Sequence, residues 1–175
     1  MGSLGTGNLF NFSFQQNGGW ALLSSNPVAQ NLVTGHATLS CSTYVYAYVD
    51  YAFYAPTGKL GGATVFGIRE SFQSAFIGDQ IETGARLGIA LANNTDLQRT
   101  YTLTAKNAAG NTIGTFQSIV PARTAPAKFL DEMTGMGATT GVASLITIQA
   151  GDFSNFAAVG LRYVGAVFST LPASQ

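Results

Sequence analysis

Charge is what this chain has least of. Its 175 residues carry eight Lys or Arg and eight Asp or Glu, 9% in all, against about 25% in an ordinary soluble domain. None of them precedes Asp50. A formal net charge of zero leaves no basic patch to meet a phosphate backbone, so nucleic acid is not an expected partner. No basic amphipathic stretch points to an anionic membrane surface. No apolar run approaches the ~20 residues of a spanning helix, so membrane insertion is not expected either. Charge is also how soluble domains keep sheet edges from pairing with a neighbour. A long uncharged segment therefore reads as a surface meant to be covered.

Cysteine and histidine are as scarce. Cys41 is the single cysteine, which excludes an intrachain disulfide and a cysteine-based zinc site. Its simplest role is a small buried hydrophobe, the other being a free thiol or an intermolecular bridge. His36 is the single histidine, so any Ser-His-Asp chemistry must run through it, yet no Gly-x-Ser-x-Gly elbow accompanies it. It reads as a surface or strand-end residue, and its count excludes a histidine-based zinc site. Asp131 and Glu132 are adjacent, which splays them apart rather than across one substrate. Asp131 is expected to serve a turn and Glu132 to face solvent, while Asp79 and Glu82 are placed to meet Arg86 or Arg69 in surface pairs. Gly84 and Gly88 lack the strand–loop–helix context and the Lys of a phosphate cradle. No catalytic, cofactor-binding or metal residue is expected, and the chain reads as a non-enzyme. Its start, Met1-Gly2-Ser3-Leu4-Gly5, has neither a charged nor an apolar leader region, so no signal peptide is expected in the chain as given.

What the chain does have is alternation. Phe10-Asn11-Phe12-Ser13-Phe14 and Tyr44-Val45-Tyr46-Ala47-Tyr48-Val49 show the period of two that sends successive side chains to opposite faces of a strand. Strands are expected near 9–15, 19–25, 35–41, 43–54, 62–69, 72–77, 86–93, 98–107, 111–120, 141–149, 155–163 and 165–170. Turn chemistry separates them: Pro56-Thr57-Gly58, Asn93-Asn94-Thr95-Asp96 and Ala109-Gly110-Asn111. At most one short helix is expected, near 126–133, with Pro126 in a first turn and Gly135 past its end. Hydrophobic content of 46% supports a real core. The expected class is all-β, an antiparallel β-sandwich.

A weak internal repeat accompanies this pattern. Trp20-Ala21-Leu22-Leu23 parallels Gly88-Ile89-Ala90-Leu91, Gly35-His36-Ala37-Thr38-Leu39 parallels Gly141-Val142-Ala143-Ser144-Leu145, and Gly62-Ala63-Thr64-Val65-Phe66 parallels Gly165-Ala166-Val167-Phe168. Two readings stay open. Residues 1–175 form one unit built of two unequal related halves, 8–80 and 83–172, or Gly/Ala-rich strands are alike by chance.

From Thr83 onward the order of motifs is distinctive: Thr83-Gly84-Ala85-Arg86-Leu87-Gly88-Ile89-Ala90-Leu91-Ala92-Asn93-Asn94, then Lys106-Asn107-Ala108-Ala109-Gly110-Asn111. Lys128-Phe129-Leu130-Asp131-Glu132, Gly160-Leu161-Arg162-Tyr163 and Phe168-Ser169-Thr170-Leu171-Pro172 follow. This order resembles the immunoglobulin-like β-sandwich modules at the ends of large secreted or surface proteins of environmental bacteria, mainly over residues 83–172. The resemblance implies an immunoglobulin-like or jelly-roll-like sandwich. It also implies an extracellular or cell-surface location and a stalk, adhesive or assembly role without catalysis or cofactor. The absence of charge from residues 1–49 departs from a monomeric stalk.

Two surfaces are candidates for such a role. Tyr44, Tyr46, Tyr48 and Tyr54 share one strand face, with Asp50 and Ala52 between them. That face is an internal one, a subunit interface, or a platform for sugar rings with Trp20 as a further ring. Were it buried, Asp50 would need a counter-charge, for which Arg162 is the candidate. Phe10, Phe12 and Phe14 form either an edge strand of their own sheet or a strand supplied to a neighbour. The leading expectation is a self-associating, filament-like assembly subunit or the terminal domain of a larger secreted protein, with copies of itself as partners. The alternative is a carbohydrate-binding module with a glycan as ligand.

Overall fold

The computed structural model describes residues 9–19, 21, 36–55, 58–165, 167–171 and 173–174, with the backbone alone for 51–55, 58–61 and 63. The chain divides into two compact units, Met1–Val33 and Thr34–Gln175. Trp20 and the strand expected at 19–25 fall outside the described residues, Gly19 and Ala21 apart. In the first unit, residues 9–15 form no strand despite their alternation. Gly18 N donates to Gln15 O at 2.9 Å, closing a turn with Asn17 at φ 62°, a conformation Asn tolerates better than most side chains.

The second unit is all-β, with ten strands among its described residues. β1 (Tyr48–Ala55) and β2 (Gly58–Phe66) form a hairpin. β3 (Gln73–Asp79), β8 (Ala143–Ala150), β5 (Arg99–Lys106) and β6 (Thr112–Val120) make one antiparallel sheet in the order β3-β8-β5-β6. β10 (Val167–Leu171), β9 (Ala157–Val164), β4 (Ala85–Ala92) and β7 (Ala127–Phe129) make the other, in the order β10-β9-β4-β7. The two sheets pack face to face as a sandwich. The inner face of β4 and β9 brings Leu87, Ile89, Leu91 and Ala158 against Phe76, Tyr101, Leu103, Ile146 and Ile148, all nearly or fully buried. A Cβ on Gly160 would sit 3.0 Å from the Phe76 ring and 3.1 Å from Leu171, so β9 carries glycine where the two sheets come closest.

Two buried amides fasten the loops to this core. Asn93, 0% exposed, donates from Nδ2 to the carbonyls of Leu97, Val120 and Pro121, and its Oδ1 accepts from Thr95 N and Oγ1. Gln80 donates to Thr139 O and Oγ1 and accepts from Leu87 N. Each supplies partners to backbone groups that would otherwise be buried without them.

The segment read as helical near 126–133 is instead β7 followed by a 3-10 turn, Leu130–Glu132. Leu91 N donates to Pro126 O, and Ala127–Phe129 pair with β4. The sheet edge thus takes the backbone groups a helix would have used for itself. The strand expected over 43–54 begins only at Tyr48, because its partner ends at Phe66 and the Gly67 N to Ala47 O bond closes the pairing. Residues 36–41 form no strand.

Sheet edges are treated unequally. β3 is bridged by Phe156 at Ser71 and by Ser174 at Ala75, the latter through two 2.9 Å bonds. β10 meets the hairpin through Thr170 Oγ1, which donates to Thr64 O at 2.8 Å. β7 is only three residues long. β6 runs nine residues with neither charge nor proline, and among the described strands it pairs with β5 alone.

Candidate functional site

The hairpin and its N-terminal approach present an aromatic cluster. Tyr48 and Phe66 are direct cross-strand partners, with ring centroids 6.4 Å apart. Tyr44 and Tyr46 meet edge to face at 5.1 Å, the arrangement ring quadrupoles favour. The Gly67–Ala47 bond carries the chain past β2 so that the Arg69 guanidinium stands 5.2 Å above the Tyr44 ring, within cation–π range. Exposure is 63% at Tyr44, 90% at Tyr46, 63% at Tyr48 and 65% at Phe66. Of the three readings of this face, burial is the one the structure overturns for Tyr44, Tyr46 and Tyr48. The side chain of Tyr54 lies outside the described residues.

Beside the cluster lies a cavity of about 260 Å³ lined by Val65, Phe66, Ile68, Arg69, Val159 and Thr170, among others. Its walls are largely apolar, with Arg69 as the charged group. Phe66 and Arg69 belong to both features.

Asp50 and Arg162, the expected charge pair, have separate partners. Asp50 is exposed and accepts from Thr64 Oγ1 at 2.5 Å, its cross-strand neighbour. Because the face is solvated, its carboxylate needs no buried counter-charge. Arg162 donates from Nε to Asp79 O at 3.0 Å and pairs with Glu82 at 3.1 Å and Asp79 at 3.4 Å. It stands opposite Leu87 on β4 and ties the end of β9 to the loop leaving β3. Asp79 and Glu82 thus meet Arg162 rather than Arg86 or Arg69.

Arg86 instead takes Asp131 in a bidentate bond, 2.8 Å on each arm, and Glu132 at 3.1 Å. Asp131 therefore serves an ion pair across to β4, and Glu132 Oε2 also accepts from Phe129 N. The hydrogen bond from Arg86 holds the Asp131 carboxyl below the usual range, against a smaller opposing effect of burial. The same guanidinium lies 3.7 Å above the Phe129 ring, which meets Tyr163 edge to face at 5.2 Å, and Tyr163 stacks on Phe168 at 5.2 Å. This half-buried ladder on the outer face of β7-β4-β9-β10 escaped the sequence reading. Its signal lay in the hairpin around Gly165, φ 59°, which sets Tyr163 opposite Phe168.

The remaining candidates stay apart. Phe12 and Phe14 are 38% and 43% exposed and stack on each other at 6.3 Å, and Phe10 is half-buried. Cys41 is exposed rather than buried, its segment belonging to no strand that would carry it inward. His36 is exposed as well. Among the described residues, no group of three His, Cys, Asp or Glu side chains could hold a metal ion, and no helix is long and apolar enough to cross a membrane. No protein-family model, no curated protein and no solved structure matches the chain.

Proposed function

We propose that this protein is a non-catalytic structural or adhesive module that self-associates outside the cell or at its surface. It would serve there as an assembly subunit or as the end domain of a larger secreted protein. The observation that carries this reading is the exposed cluster of Tyr44, Tyr46, Tyr48 and Phe66, with Tyr46 at 90% exposure. Exposed aromatic patches mark interaction surfaces, and Tyr is enriched where proteins meet. At about 150–250 Å² per ring, four such side chains supply on the order of half of the ~800 Å² each partner contributes to a standard interface. The resemblance of residues 83–172 to surface-protein end modules supports the extracellular setting. The test is sedimentation of the full chain over a wide concentration range, beside the Tyr44→Ser/Tyr46→Ser/Tyr48→Ser variant. Mass that rises with concentration, and rises less in the variant, is the expected result. A monomer at every concentration would sink the reading.

A carbohydrate-binding role is the second reading, favoured by the cavity that Phe66 and Arg69 share with the aromatic cluster. Rings stack on the apolar faces of sugars, and the tyrosine hydroxyls and the guanidinium offer donors to sugar oxygens. It predicts a monomer whose tyrosine fluorescence responds to neutral oligosaccharides.

A further inference from the structure

We infer that the free edge of β6 accepts residues 10–14 of a second copy of this chain as an added strand, an inference that rests on the self-association reading and names its joint. The contrast among the four sheet edges points to β6. Natural sheets guard exposed edges with charge, proline, shortness or a cover. β3 and β10 are covered and β7 is short, as described above, but Thr112–Val120 has none of these devices. Its start is approached by the following loop: a Cβ on Gly135 would lie 2.8 Å from Thr115 O and one on Gly114 2.7 Å from Gly135 O. Phe116–Val120, five residues, remain, with Ile119 62% exposed.

The donor is matched in length and chemistry. Phe10-Asn11-Phe12-Ser13-Phe14 is five residues of strict alternation, uncharged, outside any strand, with Phe12 and Phe14 open to solvent. Strand addition draws affinity from main-chain bonds and specificity from alternate side chains. Neither segment carries a charge that docking would desolvate. Donor and acceptor are different surfaces, so each copy can give one strand and take one. Such a head-to-tail contact propagates unless its rotation closes a ring.

Two full-length variants test this. The donor variant, Phe12→Asp/Phe14→Asp, keeps an intact β6. The acceptor variant, Thr115→Lys/Gln117→Lys, keeps an intact donor, and both lysines replace exposed residues. Ile119→Lys serves as a second acceptor variant if the first fails a thermal-melt check of folding. The expected result is that each variant alone stops short of the wild-type mass. The mixture should form a donor–acceptor complex at least tenfold tighter than either self-complex, measured by sedimentation with one partner labelled. Equal affinities for mixed and self pairs would overturn the inference, as would a donor variant that still reaches wild-type mass, and both would leave the aromatic cluster as the joint. Wild-type protein that stays monomeric would overturn the inference together with the reading beneath it.

Discussion

Between Gln73 and Leu171, alternating residues close on one another. Leu87, Leu103, Ile146 and Ile148 each fall to 0% exposure, two amides fasten the loops, and the charged residues of the loops and strand ends are largely paired. Between His36 and Phe66, an equally regular alternation stays outside: Tyr44, Tyr46, Tyr48 and Val49 remain exposed. A period of two says which side chains share a face, and it is silent on whether a second sheet arrives to cover that face. The C-terminal region finds its cover within the chain. The N-terminal one ends in a two-stranded hairpin, a structure marginal by itself. The same economy of charge therefore has two consequences, a dry core in one region and a surface receptive to partners in the other.

If that contrast is real, the two regions answer mutation on different scales. The largest effect belongs to Asn93→Ala. It strips the donor from three carbonyls and removes the acceptor for Thr95 N, at a site with no exposure. Leaving several buried polar groups unpaired costs roughly 3 kcal/mol or more, a large share of a typical domain's 5–15 kcal/mol. Denaturant unfolding should show the midpoint falling steeply. A loss below about 1 kcal/mol would mean that water reaches the Asn93 turn, and the contrast between a sealed and an open region would weaken.

Much of the sealed region was legible because its residues carry their own punctuation. The Ala109-Gly110-Asn111 turn, with Gly110 at φ 81°, lies between β5 and β6 within two residues of the expected limits. β3, β4, β8, β9 and β10 likewise fall on expected strands. What escaped depended on partners distant in the chain. Asp50 has Thr64 within reach through hairpin register, so its supposed link to Arg162 had no physical need. Ala127–Phe129 became a strand because β4 offered an open edge, something no local propensity records. The aromatic cluster was named from its alternation, yet exposure, which decides between core and surface, came only with the fold.

An intermediate effect tests how dry the core is. Tyr101 is fully buried against Phe156, with ring centroids 5.0 Å apart, and among the described residues its hydroxyl has no hydrogen-bond partner. Burial first, and then the Asp152 carboxylate, push its pKa up from 10.0 to about 12. Because the folded value is raised, the stabilisation is complete below pH 10, where both states hold the proton. It is lost as pH rises from 10 towards 12, where the unfolded chain ionises more readily. The loss amounts to about 2–3 kcal/mol by pH 12. Tyr101→Phe should match or exceed wild-type stability at pH 7, since it deletes an unpaired buried group, and should remove Tyr101's share of the alkaline loss. Unfolding curves at pH 7 and pH 11 for both proteins provide the check. An identical alkaline loss in the variant would place the titrating group elsewhere.

The smallest effect on folding should come from the most exposed ring. Tyr46 has no cross-strand partner, stands outside β1 and makes one described ring contact, to Tyr44. Tyr46→Ser therefore removes little that the fold uses, and its unfolding free energy should stay within about 0.5 kcal/mol of wild type, as surface substitutions do. Measured on dilute monomer by denaturant unfolding, that near-silence is informative. A residue that does so little for its own fold, yet holds a large aromatic side chain in water, is explained by something outside the monomer. A loss of 2 kcal/mol or more would instead make Tyr46 part of the folded core, and the division between a self-covered region and a partner-covered one would fall at the residue that shows it most clearly.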